Sequence, residues 1–506
     1  MLNYHFNKED LHECAKQLWE FLEPKLDHLD DSEKTTIQLA FDQMLISHGE
    51  MRRASGDFYI VHPVRVCAIL ADIGLDVNTL VASLLHDVPE DTGTTLKQLL
   101  NDFGPEIVYL LEGVTKLSTI KYQGIQRYAE NLRKMFIAIS RDLRIVFIKL
   151  ADRLDNLRTL KYLPEHKQYR IALESIEIYA PIAERLGISH FRGEIEDAAF
   201  PYVHPEEYKQ FIQMSEIEIQ KRIRVTEKIV KKTKQILTDS GIPFLNVLGR
   251  AKKYYSIYKK MQRKGSLENI YDLIALRVIT DTVENCYNIL ALLHQHFEPL
   301  PNRVKDYINL PKPNGYRSIH TTVQDPQTGQ IFEFQIRTQL MHEYAEYGMA
   351  VHWTHKDKTE LGEYAVIPPE RLKWIDELIA LGQEKMSEEE YLKNVRLDLF
   401  QDRIFVLTPA GDAIDLPQGA TPLDFAFKIH ADIAYHAVMA KVNGMPYKLS
   451  DPLNNGDTVE IITDKKQTPK RDWLNWVKTQ HAQKHIRNFL KKQDKLEASK
   501  GSSGKT

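Results

Sequence analysis

The sequence predicts a multidomain fold: an all-α region first, a mixed α/β region second and a small β-rich module third. Three observations predict it. At 506 residues the chain exceeds what one hydrophobic core usually supports, so about three domains of ordinary size are expected. Apolar residues recur at helical spacing up to about residue 200, and strand-like alternation is scarce there. Past that point strands and helices mix, and beyond residue 400 short strands and turns dominate.

Each region follows from its own pattern. In the first, LHECAKQLWEFL, VNTLVASLLHD and RIALESIEIYAPIAERLGI read as helices, and Thr95 with Gln98 has capping-box spacing for a short helix that should stop at Gly104-Pro105. The charged stretch EIEIQKRIRVTEKIVKKTKQIL, closed by Ser240-Gly241-Ile242-Pro243, reads as a helical connector. After it LIALRVIT, HTTVQD and QIFEFQIRT read as strands and ENCYNILALLHQHF as a helix. IPPERLKWIDELIALGQEKMSEEEYLK predicts a helix followed by an acidic linker. In the third region RIFVLTP, GDAIDLP, AVMAKVNG and DTVEIITD should be strands around a single helical piece at PLDFAFKIHADI. A basic helix and a polar tail ending GSSGKT close the chain.

Composition excludes several classes. With 43% hydrophobic and 27% charged residues the chain is neither disordered nor membrane-like. A net charge of -3 means that any nucleic-acid or nucleotide contact must come from local patches. Cys14, Cys67 and Cys286 are too far apart for a zinc knuckle or a redox pair. The N-terminus lacks an apolar core of signal-peptide length, and apolar runs are broken by charge well short of a membrane span. A cytoplasmic protein with no membrane partner is the expectation.

Two clusters carry chemistry. His86-Asp87 closes the apolar run LVASLL, Asp152 closes RIVFIKLA with Asn156 one helical turn later, and His62 stands in YIVHP. Two imidazoles and two carboxylates make a mixed nitrogen and oxygen set suited to manganese, iron or zinc rather than calcium. Glu90, four residues after His86, and Asp91 add an acidic pair that could handle a proton from water during attack on phosphorus. A lone histidine or helix-end Asp is more often packing or a cap; the combination argues for a metal-dependent phosphohydrolase.

The second cluster is basic. GRAKKYYSIYKKMQRKG presents Arg250, Lys252, Lys253, Lys259 and Lys260 among tyrosines, a cationic set that suits a triphosphate. Asp272 precedes the strand LIALRVI, where it could hold magnesium. NRVKDYINLPKPNGYRSIHTTV supplies Arg303, Lys305, Lys312, Asn314, Tyr316 and His320, with Gly315 permitting close backbone approach and Tyr316 a stacking face. Glu333 and Gln335 alternate onto one face of the strand FEFQIRT.

RRASGDFYIVHP, HDVPEDT and LADRLDN, in this order, resemble the hydrolase domain of RelA/SpoT homologues, the enzymes of the guanosine tetra- and pentaphosphate alarmones. The resemblance implies that His62, His86, Asp87 and Asp152 bind manganese, that Glu90 and Asp91 serve hydrolysis, that Arg53 packs on guanine and that Asn156 touches the nucleotide. The second cluster resembles the same family's synthetase domain, which moves a pyrophosphoryl group from ATP to the 3′-hydroxyl of GDP or GTP. By that likeness Arg250, Lys252, Ser256, Lys259, Arg277 and Arg303 join the nucleotide site. Asp272 and Glu333 bind magnesium, Glu333 also activates the hydroxyl, Tyr316 stacks on guanine, and Lys305, Lys312, Asn314, His320 and Gln335 hold the acceptor. Residues 402 to 464 resemble the TGS domain, implying contact of His430 with uncharged tRNA on the ribosome.

The implied layout is an all-α HD-type hydrolase domain at 1–198, a helical connector at 199–245 and a nucleotidyltransferase-like synthetase domain with a mixed sheet at 246–382. A linker at 383–400, a β-grasp TGS domain at 401–464 and the start of a helical region at 465–506 follow. Pro89 stands where an apolar residue is usual and should break or bend the helix after His86. Asp155 stands where His is common, Ala54 where Lys is, Phe58 where Pro is and Ala251 where Pro is. Arg303-Val304-Lys305-Asp306 matches the basic form of a motif that is acidic in synthetase-only relatives, which favours a bifunctional enzyme of the long Rel/SpoT type. Running both reactions at once would waste ATP, so antagonistic coupling through helices at 180–245 is expected. The alternatives are a hydrolase-only member, a tRNA- and ribosome-binding sensor with weak catalysis, and a phosphohydrolase of unrelated substrate.

Overall fold

The computed structural model describes residues 6–118, 124–250, 253–264, 275–309, 311–312, 315–353, 373–383, 386–399, 403–411, 413–454 and 456–502. It falls into two compact units, Met1–Gln383 and Glu384–Thr506.

The first unit begins as the expected helical array: α1 (Leu11–Leu22), α2 (Asp31–His48), α3 (Val61–Ala71), α4 (Val77–Leu85), α5 (Val88–Asp91), α6 (Leu96–Ser118), α7 (Gly124–Arg141) and α8 (Leu143–Arg158). Then come α9 (Glu165–Glu174), a π-helical turn at Ser175–Tyr179, α10 (Ala180–Arg185), α11 (Ser189–Val203) and the long connector helix α12 (Pro205–Ser240). Side-chain caps set the starts of several helices: Asp10 for α1, a reciprocal Asp30 and Glu33 pair for α2, Asp76 for α4 and Asp142 for α8. Thr95 and Gln98 pair as expected at the start of α6, and the helix breaks where Gly104 takes φ 82° before Pro105. At the centre lies α8, buried along most of its length from Leu143 to Leu157. Gly241, left-handed at φ 70°, stops α12.

Pro89 has the anticipated effect. Its ring would clash with the Leu85 carbonyl in a continuous helix, so α4 ends at Leu85 and α5 restarts at Val88 with Pro89 in its first turn, where no amide bond is lost. The break places His86 and Asp87 at the corner between two helices.

Next is a mixed sheet made of β1 (Asn246–Arg250), β2 (Ala275–Thr280), β3 (Glu298–Pro299), β4 (Lys305–Asp306), β5 (Ile319–Gln324) and β6 (Ile331–Thr338). Its order is β1-β2-β6-β5-β3, with β4 paired to β5; only the β2–β6 pairing is parallel. Helices α13 (Tyr254–Lys264), α14 (Val283–His296), α15 (Gln339–Tyr347) and α16 (Lys373–Gln383) complete the unit. The sheet core is Leu276, Val278, Phe332, Phe334 and Ile336 packed against Cys286, Ile289 and Leu293 of α14. Strand alternation holds on β5, where Ile319, Thr321 and Val323 are buried and their neighbours half-buried.

The second unit opens with α17 (Glu388–Leu399), so the acidic segment expected as a linker is partly helical, burying Tyr391, Leu392 and Val395. Hairpin β7 (Arg403–Leu407) and β8 (Ala413–Pro417) is followed by α18 (Pro422–Ile429) and α19 (Ala431–Tyr435). Then come the antiparallel sheet of β9 (Ala437–Val442), β10 (Met445–Tyr447) and β11 (Val459–Thr463), and helices α20 (Trp473–Trp476) and α21 (Gln480–Ser502). The single helical piece expected at PLDFAFKIHADI is two helices. Extended His430 (φ -163°) separates them and caps α19 by accepting from the Asp432 amide at 3.2 Å. Buried Asp424 forms a capping box with Thr421 at the start of α18 and also accepts from the Lys478 and Thr479 amides, tying the basic C-terminal segment to this small core. Among the described residues no helix is long and apolar enough to cross a membrane.

Candidate active sites

The first site forms where α3, the α4–α5 corner and α8 meet. One ligand atom each from His62, His86 and Asp87 lies within 4.8 Å of the others. Asp152 Oδ1 is 3.3 Å from His62 Nε2, so the fourth expected ligand adjoins this three-residue group without being part of it. Both imidazoles are oriented. His86 Nδ1 donates to the Ser83 carbonyl at 2.7 Å, leaving Nε2 buried and without a hydrogen-bond partner. His62 Nδ1 donates to Asp155 Oδ2 at 2.7 Å, turning its Nε2 towards Asp87 and Asp152. An orphaned buried imidazole nitrogen beside two carboxylates is what a divalent cation would satisfy, and the donor set fits one.

Electrostatics agree with that fit. Burial opposes ionisation of Asp152, but Lys149, bonded to its Oδ2 at 2.7 Å, and the His62 contact outweigh it and hold the carboxyl well below the usual range. Asp87 is likewise lowered, by His86 and His62 against its burial. Burial and Arg53 pull His62 down, yet bonds to Asp152 and Asp155 prevail and raise it to about 9. The imidazole therefore carries a proton that a cation would displace.

Asn156 Nδ2 donates to Asp152 Oδ1 at 2.5 Å and Arg53 Nη2 donates to Asn156 Oδ1 at 2.7 Å, joining the two expected nucleotide contacts to the ligand cluster. Glu90 and Asp91 lie exposed on α5. Beside the cluster opens a cleft of about 330 Å³ lined by Arg53, Lys149, Asp152, Arg153, Asn156 and Arg170, among others. Three residues of this region were not singled out from sequence. Tyr59 Oη is 2.5 Å from Asp91 Oδ2 and 3.0 Å from Asp87 Oδ2, linking the two carboxylates. Lys149 holds Asp152, and Arg153 lies 4.2 Å over the Tyr179 ring. Their signals were faint: Tyr59 and Lys149 each precede a ligand by three residues.

The second site is a cleft of about 600 Å³ over one face of the mixed sheet. Of the expected residues, Ser256, Arg277, Arg303, Lys305, Lys312, His320, Glu333 and Gln335 line it. Pairing explains the convergence: Glu333 lies opposite Ala275, Gln335 between Arg277 and His320, and His320 opposite Lys305. Gln335 Nε2 donates to Glu333 Oε1 at 2.9 Å, and His320 Nδ1 is 3.3 Å from the same oxygen. Tyr316 stands beside the cleft, its hydroxyl 2.8 Å from His320 Nε2 and its ring 5.0 Å from Lys312 Nζ. Lys259 turns elsewhere, to Glu196 at 2.9 Å and over the Tyr255 ring. Lys252, Asp272 and Asn314 lie outside the described residues, as does the Arg250 side chain, although its backbone closes β1.

Sequence reasoning also missed Ser189, His190, Tyr307 and Glu346, which line the same cleft. Glu346 accepts from Arg277 at 2.7 Å and from buried Arg337 at 3.2 Å. On α11, Glu194 pairs with the cleft residue Lys253 and lies 3.7 Å from Arg158 at the end of α8. His430, in the second unit, is exposed.

Comparison with known proteins accords with this geometry. An HD domain model matches residues 40–189, a region found in RelA / SpoT proteins matches 249–360 and a TGS domain model matches 404–463. A guanosine-3′,5′-bis(diphosphate) 3′-pyrophosphohydrolase of Aquifex aeolicus is 42% identical over 463 residues, 91% of this chain and 65% of that protein. A GTP pyrophosphokinase of Myxococcus xanthus is 43% identical over 461 residues, 89% of this chain and 59% of that protein. The bifunctional (p)ppGpp synthase/hydrolase SpoT of Escherichia coli is 43% identical over 447 residues, 88% and 63% of the respective chains. The chain thus spans less than two thirds of the length of these relatives.

Proposed function

We propose that this chain, which belongs to the RelA/SpoT family, is a bifunctional alarmone enzyme of the stringent response. It removes pyrophosphate from the 3′ position of ppGpp or pppGpp in the first cleft and makes them from ATP and GDP or GTP in the second. One observation carries the reading. The His-Asp cluster and the Glu333 cleft are separate sites, each rich in cations, in a chain similar to relatives named for each activity.

In the first cleft His62, His86, Asp87 and Asp152 would hold manganese. The ion supplies Lewis acidity and a source of nucleophilic water near neutral pH. Arg53 and Asn156 orient the guanosine, Lys149 and Arg153 offset the charge of the departing pyrophosphate, and Glu90 and Asp91 manage the proton. In the second cleft Glu333 takes the proton from the 3′-hydroxyl and, with Asp272, would hold magnesium. Tyr316 stacks on guanine, while Arg277, Arg303, Lys305 and Lys312 spread the phosphate charge, so positioning and electrostatics dominate. Glu194, paired with Lys253, restrains one cation of that cleft and favours hydrolysis as the resting activity. Antagonistic coupling through α11 and α12 is part of this reading, as are the cytoplasmic location and contact of His430 with uncharged tRNA on the ribosome.

The test is direct. The purified chain is incubated with labelled ppGpp plus manganese or chelator, and separately with labelled ATP, GDP and magnesium, and the products are resolved. Metal-dependent release of pyrophosphate in the first and labelled ppGpp in the second are expected. A chain inert in both would be a binding module, and one active only in the first a hydrolase.

A further inference from the structure

Asp155 lies on α8 among the ligands and is only 1% exposed, an expensive position for a charge unless the charge is used. Its Oδ2 accepts from His62 Nδ1 at 2.7 Å, and Arg53 Nη1 lies 3.8 Å from the same oxygen. Among the described residues neither Asp155 Oδ1 nor Arg53 Nη1 has a hydrogen-bond partner. The contacts close into a ring: Asp155 to His62, His62 to Asp152 at 3.3 Å, Asp152 to Asn156 at 2.5 Å, Asn156 to Arg53 at 2.7 Å, and Arg53 back to Asp155. Two members belong to the ligand cluster and two to the expected nucleoside contacts. Asp155 is the member that joins them on the side away from Asn156.

We propose that Asp155 is a positioning residue through which divalent cation and guanosine favour each other's binding in the first cleft. This rests on the reading of that cleft as a metal-dependent nucleotide hydrolase. Two tasks follow from its chemistry. A carboxylate can only accept from His62 Nδ1–H, which fixes the tautomer whose Nε2 lone pair faces the cation. The same charge draws Arg53 inward, so Arg53 is held from Asn156 on one side and Asp155 on the other. A cation that settles His62 and Asp152 thereby settles both supports of Arg53, and by reciprocity a nucleoside resting on Arg53 tightens the cation site.

The experiment reads affinity rather than turnover. In the full chain carrying Glu333→Gln, which weakens the cation site of the second cleft, manganese affinity is measured by competition with a chromogenic chelator, with and without guanosine. Guanosine has no phosphate to touch the ion, and 2′,3′-dideoxyguanosine, which also lacks the ribose hydroxyls, should give the same ratio if the effect passes through the protein. In this parent, guanosine should tighten manganese by roughly fivefold or more. Asp155→Ala should weaken manganese alone by about 10–100-fold and bring the guanosine effect to within about twofold of none. Asp155→Asn keeps an acceptor for Nδ1–H but drops the charge facing Arg53, so it should keep most of the manganese affinity and lose the guanosine effect. A merely structural role would lower affinities or thermal stability without changing the guanosine ratio. Should Asp155→Ala fail to fold, Asp155→Asn decides alone: a ratio equal to the parent's overturns the proposal. A parent that binds no manganese overturns the metal reading itself, whereas tight binding with no guanosine effect overturns only the coupling.

Discussion

Replacing Tyr59 with Phe removes one oxygen from the junction of the proposed metal ligand Asp87 and the proposed proton carrier Asp91. The Tyr59 hydroxyl has a single proton, yet it lies 2.5 Å from Asp91 Oδ2 and 3.0 Å from Asp87 Oδ2, so it is the donor that holds the two carboxylates together. Burial, the Asp87 charge and the bond to Asp91 push the phenol up, so it stays neutral and able to donate at any assay pH. A hydrogen bond to a charged group contributes about 1.5–3 kcal/mol. If that is realised as correct placement of Asp91 in the transition state, its loss lowers kcat for ppGpp hydrolysis by roughly 10–100-fold. Phe keeps the ring that stacks on His48 at a centroid distance of 4.6 Å, so thermal stability should fall by no more than the about 1.5–3 kcal/mol of the lost bond. Steady-state hydrolysis with manganese, alongside a thermal melt, checks both numbers. A kcat within about twofold of the unsubstituted protein would refute the role given to this hydroxyl.

Three more expectations follow from charge placement. Lys149→Met leaves Asp152 as a buried carboxylate without its main counter-charge, costing about 3 kcal/mol in metal-free melts. Added manganese should recover much of that loss, and an equal melting deficit with and without the ion would contradict the assignment. Glu194→Gln frees Lys253 in the second cleft, so the KM for ATP in ppGpp synthesis should fall severalfold; an unchanged KM would mean that the ion pair imposes no restraint. Burial, then Arg337 and Arg277, hold His342 down at about 4, against roughly 6.5 for a free histidine. The unfolded chain then binds the proton first, so this contribution is complete above about pH 6.5 and is lost as pH falls towards 4. After solvent screening it should amount to about 1–2 kcal/mol, read as a shallower decline of urea stability between pH 7 and 4.5 in His342→Gln than in the unsubstituted chain.

Much of the first site was legible because its residues announce themselves by local spacing. His86-Asp87 ends one apolar helix, and Asp152 and Asn156 sit four apart on another, where the structure finds them hydrogen-bonded. Glu333 and Gln335 were paired by strand alternation and touch as expected. What stayed illegible depends on long-range packing. Arg53 meets Asn156 across 103 residues of chain, and Glu194 reaches Lys253 across 59. Neither meeting leaves a periodic trace. Lys259 has the same chemistry as its basic neighbours, and only the approach of α11 diverts it to Glu196. In the second unit, acidic composition masked the buried face of α17, and the extended backbone of His430 splits a helix that apolar spacing had read as one.

The central claim is that one chain carries two separate active sites with opposing reactions. It is tested most directly by assaying ppGpp breakdown and synthesis side by side in Asp87→Ala and Glu333→Gln. Asp87→Ala should abolish breakdown and leave synthesis, and Glu333→Gln should do the reverse. Loss of both reactions from either single substitution, in a protein that melts normally, would contradict the account.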